Sequence, residues 1–223
     1  MGTYSQISFR KIIVKLISFY TEGDEKNYYV KCADRLRENC KQYNLDLDLV
    51  KKENLGSYRD NCLSKPKFIL DKLNEHQSPL VWVDVDTIFR NYPEHFYSEQ
   101  LLNVDIGFSS SHPHLGGMKA SPLYFNTNEL SKIFLEDWIS VCNQTLENMD
   151  VNFDHESLFS IVDKYKETVR YGVFPETYCQ WPQDVNEHTV IEMGMSDVAD
   201  KVEVLKKMGI DGHLLAIQTV GIL

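Results

Sequence analysis

The chain has 223 residues, 43% of them hydrophobic and 12% aromatic, which is enough to close a full core within one domain. Its formal net charge of −10 speaks against a broad nucleic-acid or anionic-membrane surface, and no run approaches the ~18 apolar residues of a membrane span. The five cysteines are odd in number and widely spaced, with no C-x-x-C pair, which argues against a disulfide framework or zinc cluster. Residues 1–11 are too polar for a secretory signal, so the expected location is cytoplasmic.

In chain order, residues 11–20 read as a first strand, rich in β-branched side chains and running into the loop Ser18-Phe19-Tyr20-Thr21. Residues 24–43 read as a helix, with Tyr28, Cys32, Leu36 and Cys40 at i, i+4, i+8 and i+12. Residues 45–50 alternate as a half-buried strand should, so a βαβ unit opens the chain. Residues 56–73 predict one helix, or two joined near Pro66, because proline costs about 3 kcal/mol in a helix interior. Arg59, Lys65, Lys67 and Lys72 gather positive charge there, with Lys67 and Lys72 on a solvated face.

Next comes Pro79-Leu80-Val81-Trp82-Val83-Asp84-Val85-Asp86-Thr87, an apolar strand running into two carboxylates. On a strand, residues i and i+2 project from one face, which sets Asp84 and Asp86 side by side about 7 Å apart. Hard oxygen ligands in that pattern suit Mg2+ or Mn2+, whose shells are completed by water and substrate phosphates. An open α/β sheet also places its ligands at the carboxyl ends of its strands.

The chain then turns at residues 92–96 and forms a strand over 104–109. A polar loop follows with His112, His114, Gly116 and Gly117, the glycines allowing backbone to approach a ligand closely. Residues 120–126 read as a fifth strand, and 128–142 as a helix burying Leu130, Ile133, Phe134, Trp138 and Val141. Asp154 stands at the start of another helix, whose buried face is Leu158, Ile161, Val162 and Tyr165; capping and catalysis both account for an aspartate there. Strands near 170–174 and 189–191, a helix over 197–208 and an apolar tail over 209–223 complete a single α/β domain spanning 1–223.

This order of motifs resembles the nucleotide-diphospho-sugar transferases of the GT-A glycosyltransferase fold. The matching parts are Ser18 to Thr21, Asn61-Cys62-x-x-Lys65-Pro66, the strand closing in Asp84-Val85-Asp86, the Gly-Gly loop before Tyr124-Phe125-Asn126, Trp138, Asp154-His155-Glu156-x-Leu158 and Phe174-Pro175-x-x-Tyr178-Cys179. Together they cover most of residues 11–196. The short chain and compact spacing also resemble the small glycosyltransferase domains of large DNA viruses of algae, for which the location is the host-cell cytoplasm.

The resemblance implies a Rossmann-like, mixed but mainly parallel sheet flanked by helices. It implies hexosyl or deoxyhexosyl transfer from a nucleotide-diphosphate sugar, with uridine diphosphate the commonest carrier, to a glycan or glycoprotein. Asp86 would be the direct ligand of Mn2+ or Mg2+, with Asp84 its partner or the holder of a ribose hydroxyl. Ser18, Phe19, Tyr20 and Thr21 would surround the nucleoside, and Arg59 and Lys65 would face the diphosphate. Gly116 and Gly117 would sit at the donor and acceptor. Asp154, then Glu156, would serve as base in an inverting transfer. The family's C-terminal metal-binding histidine has no counterpart, leaving Glu192 or His188 for that place. Two rivals stand beside this reading: a nucleotide-sugar or glycan-binding module without turnover, and a haloacid-dehalogenase-like phosphatase. The second wants D-x-D-x-T near the first strand, whereas here Thr87 directly follows Asp86.

Overall fold

The computed structural model describes residues 14–23, 27–110, 118–147 and 154–193. A six-stranded sheet runs in the order β2-β1-β3-β6-β5-β7, formed by β1 (Lys15–Thr21), β2 (Leu47–Lys52), β3 (Leu80–Trp82), β5 (Ile106–Ser110), β6 (Met118–Phe125) and β7 (Tyr171–Val173). Only β6 runs against the others, pairing antiparallel with β3 on one side and β5 on the other. A second, two-stranded sheet joins β4 (Ile88–Phe89) to β8 (Ile191–Glu192).

Both faces of the large sheet are buried, so its central strands are apolar on either side. Ile17, Trp82, Leu123 and Phe125 face one cluster, packed by α3 (Lys65–His76), α5 (Glu129–Glu147) and α6 (Asp154–Tyr165) through Phe68, Ile69, Phe134, Trp138 and Leu158. Their neighbours Leu16, Val81 and Tyr124 face the other cluster, covered by α1 (Tyr28–Gln42), α4 (Glu99–Leu102) and the small sheet.

The helical charge cluster resolves into two helices, α2 (Tyr58–Leu63) and α3. Ser57 Oγ accepts the Asp60 N–H at 3.0 Å to cap α2, and Pro66 falls in the first turn of α3, where its missing N–H costs nothing. Lys67 pairs with Asp71 on the exposed surface, as a solvated face predicts. Lys72 instead bridges Asp48 and Glu75.

Several boundaries differ from the sequence expectation. β2 runs two residues later, at 47–52, because its register against β1 is fixed from Leu16↔Leu47 onward. α5 is rotated: Ser131, Phe134, Leu135, Trp138 and Cys142 are buried, whereas Leu130 and Ile133 are 36% and 38% exposed. The reason is polar, since Ser131 Oγ donates to Asp105 O at 2.8 Å and turns its own face inward. The turn expected at 92–96 is a 3-10 turn at Glu94–Tyr97, and it is flanked by β4 and α4, neither of them expected. The helix at 197–208, the tail, His112, His114, Gly116 and Gly117 lie outside the described residues.

Candidate active site

Order reverses around β1: β2 lies on one side of it and β3 on the other. A doubly wound sheet opens a crevice at such a point, beyond the carboxyl ends of the strands. Here the crevice encloses about 670 Å³ of atom-free space, its open mouth included. Phe19, Tyr20 and Thr21 from β1, Tyr29 from α1, and Tyr58, Asn61 and Cys62 from α2 form one wall. Lys65, Trp82, Asp84, Val85, Asp86 and Asp154 form the floor and the other wall.

The acidic pair does not ride on the strand. β3 ends at Trp82, and Asp84 to Thr87 form a turn closed by the Thr87 N–H on Asp84 O at 3.0 Å, so strand spacing does not govern Asp84 and Asp86. The turn is nevertheless fixed at several points. Ser121 Oγ accepts the Asp84 N–H at 2.9 Å, Trp82 Nε1 donates to Asp84 Oδ1 at 3.0 Å, and Arg35 donates to the Asp86 carbonyl at 3.1 Å. Asp86 is 6% exposed.

Lys65 is the centre of the floor. It is 4% exposed, and its Nζ lies 2.9 Å from Asp84 Oδ1, pairs with Asp154 Oδ2 and donates to Ala120 O at 3.2 Å. Trp82 presents its ring face 5.2 Å away. Burial pulls the ammonium toward neutrality, but the Asp154 and Asp84 carboxylates outweigh it and hold the pKa well above the ordinary lysine value. With its three N–H groups engaged by Asp84, Asp154 and Ala120, Lys65 is a strut between the acidic turn and the first turn of α6. The phosphate-facing role expected for it requires one of those bonds to be exchanged.

Of the other expected residues, Phe19, Tyr20, Thr21 and Asp154 reach the cleft. Ser18 lies deeper along β1, fully buried and off the lining. Arg59 donates to Thr145 O at 2.6 Å, tying α2 to α5, and is not on the lining. Glu156 is exposed one residue pair beyond Asp154 and also off the lining. Neither residue expected in the histidine's place reaches the cleft. Glu192, 2% exposed, is held by Arg90 at 2.5 Å, and His188 lies on an exposed turn beside Glu187 at 3.7 Å. β4–β8 pairing directs the Glu192 side chain toward Arg90.

Tyr29, Tyr58, Trp82 and Ser121 belong to the site without having been singled out. Tyr29 follows the buried stripe of α1 by one residue, and burial raises both the Tyr29 and Tyr58 phenols well above their ordinary pKa, keeping them neutral. Asn61, whose amide joins Asn54, Leu55 and Ser57, organises the loop under the cleft.

Chemically, one ammonium here faces three carboxylates, Asp84, Asp86 and Asp154, so the lining is formally anionic. Such a cleft accepts a diphosphate only together with a cation, and hard carboxylate oxygens fit Mn2+ or Mg2+. Among the described residues the trio of ligand atoms within 4.8 Å of one another is a different one, Asp48, Glu75 and His76. There the Lys72 ammonium, 2.7 Å from Asp48 and 2.8 Å from Glu75, already supplies the positive charge. The ligand atoms of Asp84, Asp86 and Asp154 do not all lie within that distance of one another.

Fold and site together define an open α/β protein with an acidic, aromatic-walled cleft at the switch point of its sheet. The same architecture is found in the crystal structure of a glycosyltransferase involved in the glycosylation of the major capsid of PBCV-1, with a TM-score of 0.63 over 89% of this chain and 99% of that one. At 13% identity this likeness concerns the fold. No family model matches the sequence, and no curated protein matches it.

Proposed function

We propose that the protein is a metal-dependent glycosyltransferase of the GT-A type, moving a sugar from a nucleotide-diphosphate sugar, with uridine diphosphate as carrier, to a glycan or protein acceptor. The observation that carries the reading is the acidic turn Asp84-Val85-Asp86 fixed at the switch-point cleft and joined through buried Lys65 to Asp154. The fold shared with a glycosyltransferase supports it.

Tyr20, Tyr29 and Tyr58 offer aromatic surface for a base and ribose. Asp84 and Asp86 would hold Mn2+ or Mg2+; when bound, the ion neutralises charge on the departing diphosphate. Asp154 is better placed than Glu156 to act on an acceptor hydroxyl, because it lines the cleft and Glu156 does not. In an inverting transfer Asp154 takes the hydroxyl's proton as the oxygen attacks the anomeric carbon. In a retaining transfer it orients the sugar instead.

The test is release of free nucleoside diphosphate from a panel of nucleotide sugars with Mn2+ or with EDTA. Metal-dependent release that falls at least ~100-fold in Asp86→Ala is the expected outcome. Donor binding without release would identify a binding module, and phosphate release from simple phosphoesters would sink the transferase reading.

A further inference from the structure

The two aspartates of the acidic turn are held by different parts of the fold. Asp84 is tied to Trp82 on β3, Ser121 on β6 and Lys65 on α3. The leg that follows it rests on α1, which covers the opposite face of the sheet from α3. Val85 packs there with Tyr28, Cys32 and Ala33. Arg35 Nη2 donates to the Asp86 carbonyl at 3.1 Å and lies 3.7 Å from Cys32 Sγ on its own helix. Asn39 Oδ1 accepts the Phe89 N–H at 2.5 Å.

Arg35 and Asn39 stand at i and i+4, so both bonds leave one face of α1. They reach 51 and 50 residues along the chain. The arginine bond acts on main chain: it fixes the backbone from which the Asp86 side chain enters the cleft. An ion shared by Asp84 and Asp86 feels their relative placement directly, because Mg2+ demands near-ideal geometry at about 2.0–2.1 Å. Neither Glu192 nor His188 lines the cleft, which leaves more of the affinity to that placement.

We propose that Arg35, together with Asn39, is a positioning residue for the metal, holding the Asp86 backbone so that its carboxylate and that of Asp84 meet at one ion; this rests on reading the acidic turn as a Mn2+ or Mg2+ site. The sign of the effect separates position from charge. Were only Coulomb forces at work, removing a cation beside an anionic cleft would tighten the binding of a divalent ion. Releasing Asp86 weakens it instead, and supports behind a metal ligand are worth about 10- to 100-fold in metal affinity.

The experiment titrates Mn2+ into the full chain and reads free Mn2+ from its electron paramagnetic resonance signal, so no turnover is needed. Asp86→Ala should abolish binding, which assigns the ion to the turn and not to Asp48, Glu75 and His76. Arg35→Met should raise the Mn2+ Kd at least ~10-fold, and Arg35→Lys, which keeps the charge and a donor, should recover part of the loss. Asn39→Ala should shift the Kd in the same direction. With a donor that turns over, the Mn2+ concentration giving half-maximal rate should rise in step in Arg35→Met, while kcat at saturating Mn2+ changes little. An unchanged or lower Kd in Arg35→Met would overturn the proposal and leave the transferase reading intact; so would Mn2+ binding that survives Asp86→Ala. The expected shifts in a protein that turns over no nucleotide sugar would count against the transferase reading alone. A wild type that binds no Mn2+ would overturn both. Urea midpoints are measured for every variant, and if Arg35→Met does not fold, Asn39→Ala decides by the same criterion.

Discussion

Lys65 carries the clearest residue-scale consequence. Lys65→Met keeps the stem but removes the ammonium from between Asp84 and Asp154, whose side chains are 34% and 11% exposed. Removing one partner of a buried ion pair costs roughly 3–5 kcal/mol, and the exposure of Asp84 places this variant near ~3. A urea titration should report that loss, and Mn2+ should recover more of it in the variant than it adds to the wild type, since a cation then replaces the ammonium. An equal metal effect on both proteins would argue against a metal at these carboxylates. Much of this site is legible in the linear sequence: Asp84, Asp86, Lys65 and Asp154 stand out by chemistry and order. What a linear reading cannot reach is that the lysine spends its hydrogen bonds on those same aspartates. That depends on α3 and α6 packing against one face of the sheet, a contact between residues far apart in the chain. For the same reason Glu192 looks like a ligand in the sequence and is an Arg90 partner in the fold.

Between elements, the seam that matters most joins α5 to α6. Trp138, fully buried, donates from Nε1 to Ser157 Oγ at 2.9 Å, and Ser157 Oγ donates to Asp154 O at 2.9 Å. A core tryptophan thus steadies the turn that carries Asp154. Ser157→Ala leaves the indole N–H buried without its acceptor, a loss of about 1–3 kcal/mol in urea unfolding. On the proposal that Asp154 is the base of an inverting transfer, the variant should also lower kcat more than it raises KM, because Asp154 rather than the donor is displaced. Equal changes in both would assign the hydroxyl to packing alone. Periodicity announces most of α6, since Leu158, Ile161 and Tyr165 are buried as expected and Val162 is partly buried. It misplaces the face of α5 because Ser131, a polar residue, lies inside. Hydrophobic pattern does not weigh a serine whose hydroxyl is consumed by Asp105 O, so tertiary hydrogen bonding outranks the apolar stripe there. β4, two residues long, leaves no periodic trace, whereas the equally short β8 overlaps the strand expected over 189–191.

Across the whole molecule, the sheet is clamped near both ends by carboxylates that burial alone would push toward the neutral form. Asp48 on β2 is held by Lys72 and His76 from α3. Asp105, at the start of β5, receives the Arg170 N–H at 2.8 Å, its guanidinium at 2.7 and 3.2 Å, and the Asn128 amide at 2.6 Å. In both, desolvation raises the pKa but the hydrogen bonds and cations win, so the folded values lie below the ordinary one. The sign follows from linkage. A carboxylate with a depressed folded pKa contributes stability above its unfolded value of about 3.9, and that contribution is lost as pH falls through the folded value. Urea unfolding free energy should therefore drop steeply below about pH 4. Asp105→Asn tests the clamp: Asn still accepts hydrogen bonds but offers Arg170 no charge. The variant should be less stable than wild type by about 1–3 kcal/mol at pH 7. The gap should narrow as pH falls below ~4, because the wild type then loses by protonation what the variant lost by substitution. A gap that stays constant from pH 7 to pH 3 would mean that shape, rather than ionisation, is what Asp105 contributes between β5, β7 and α5.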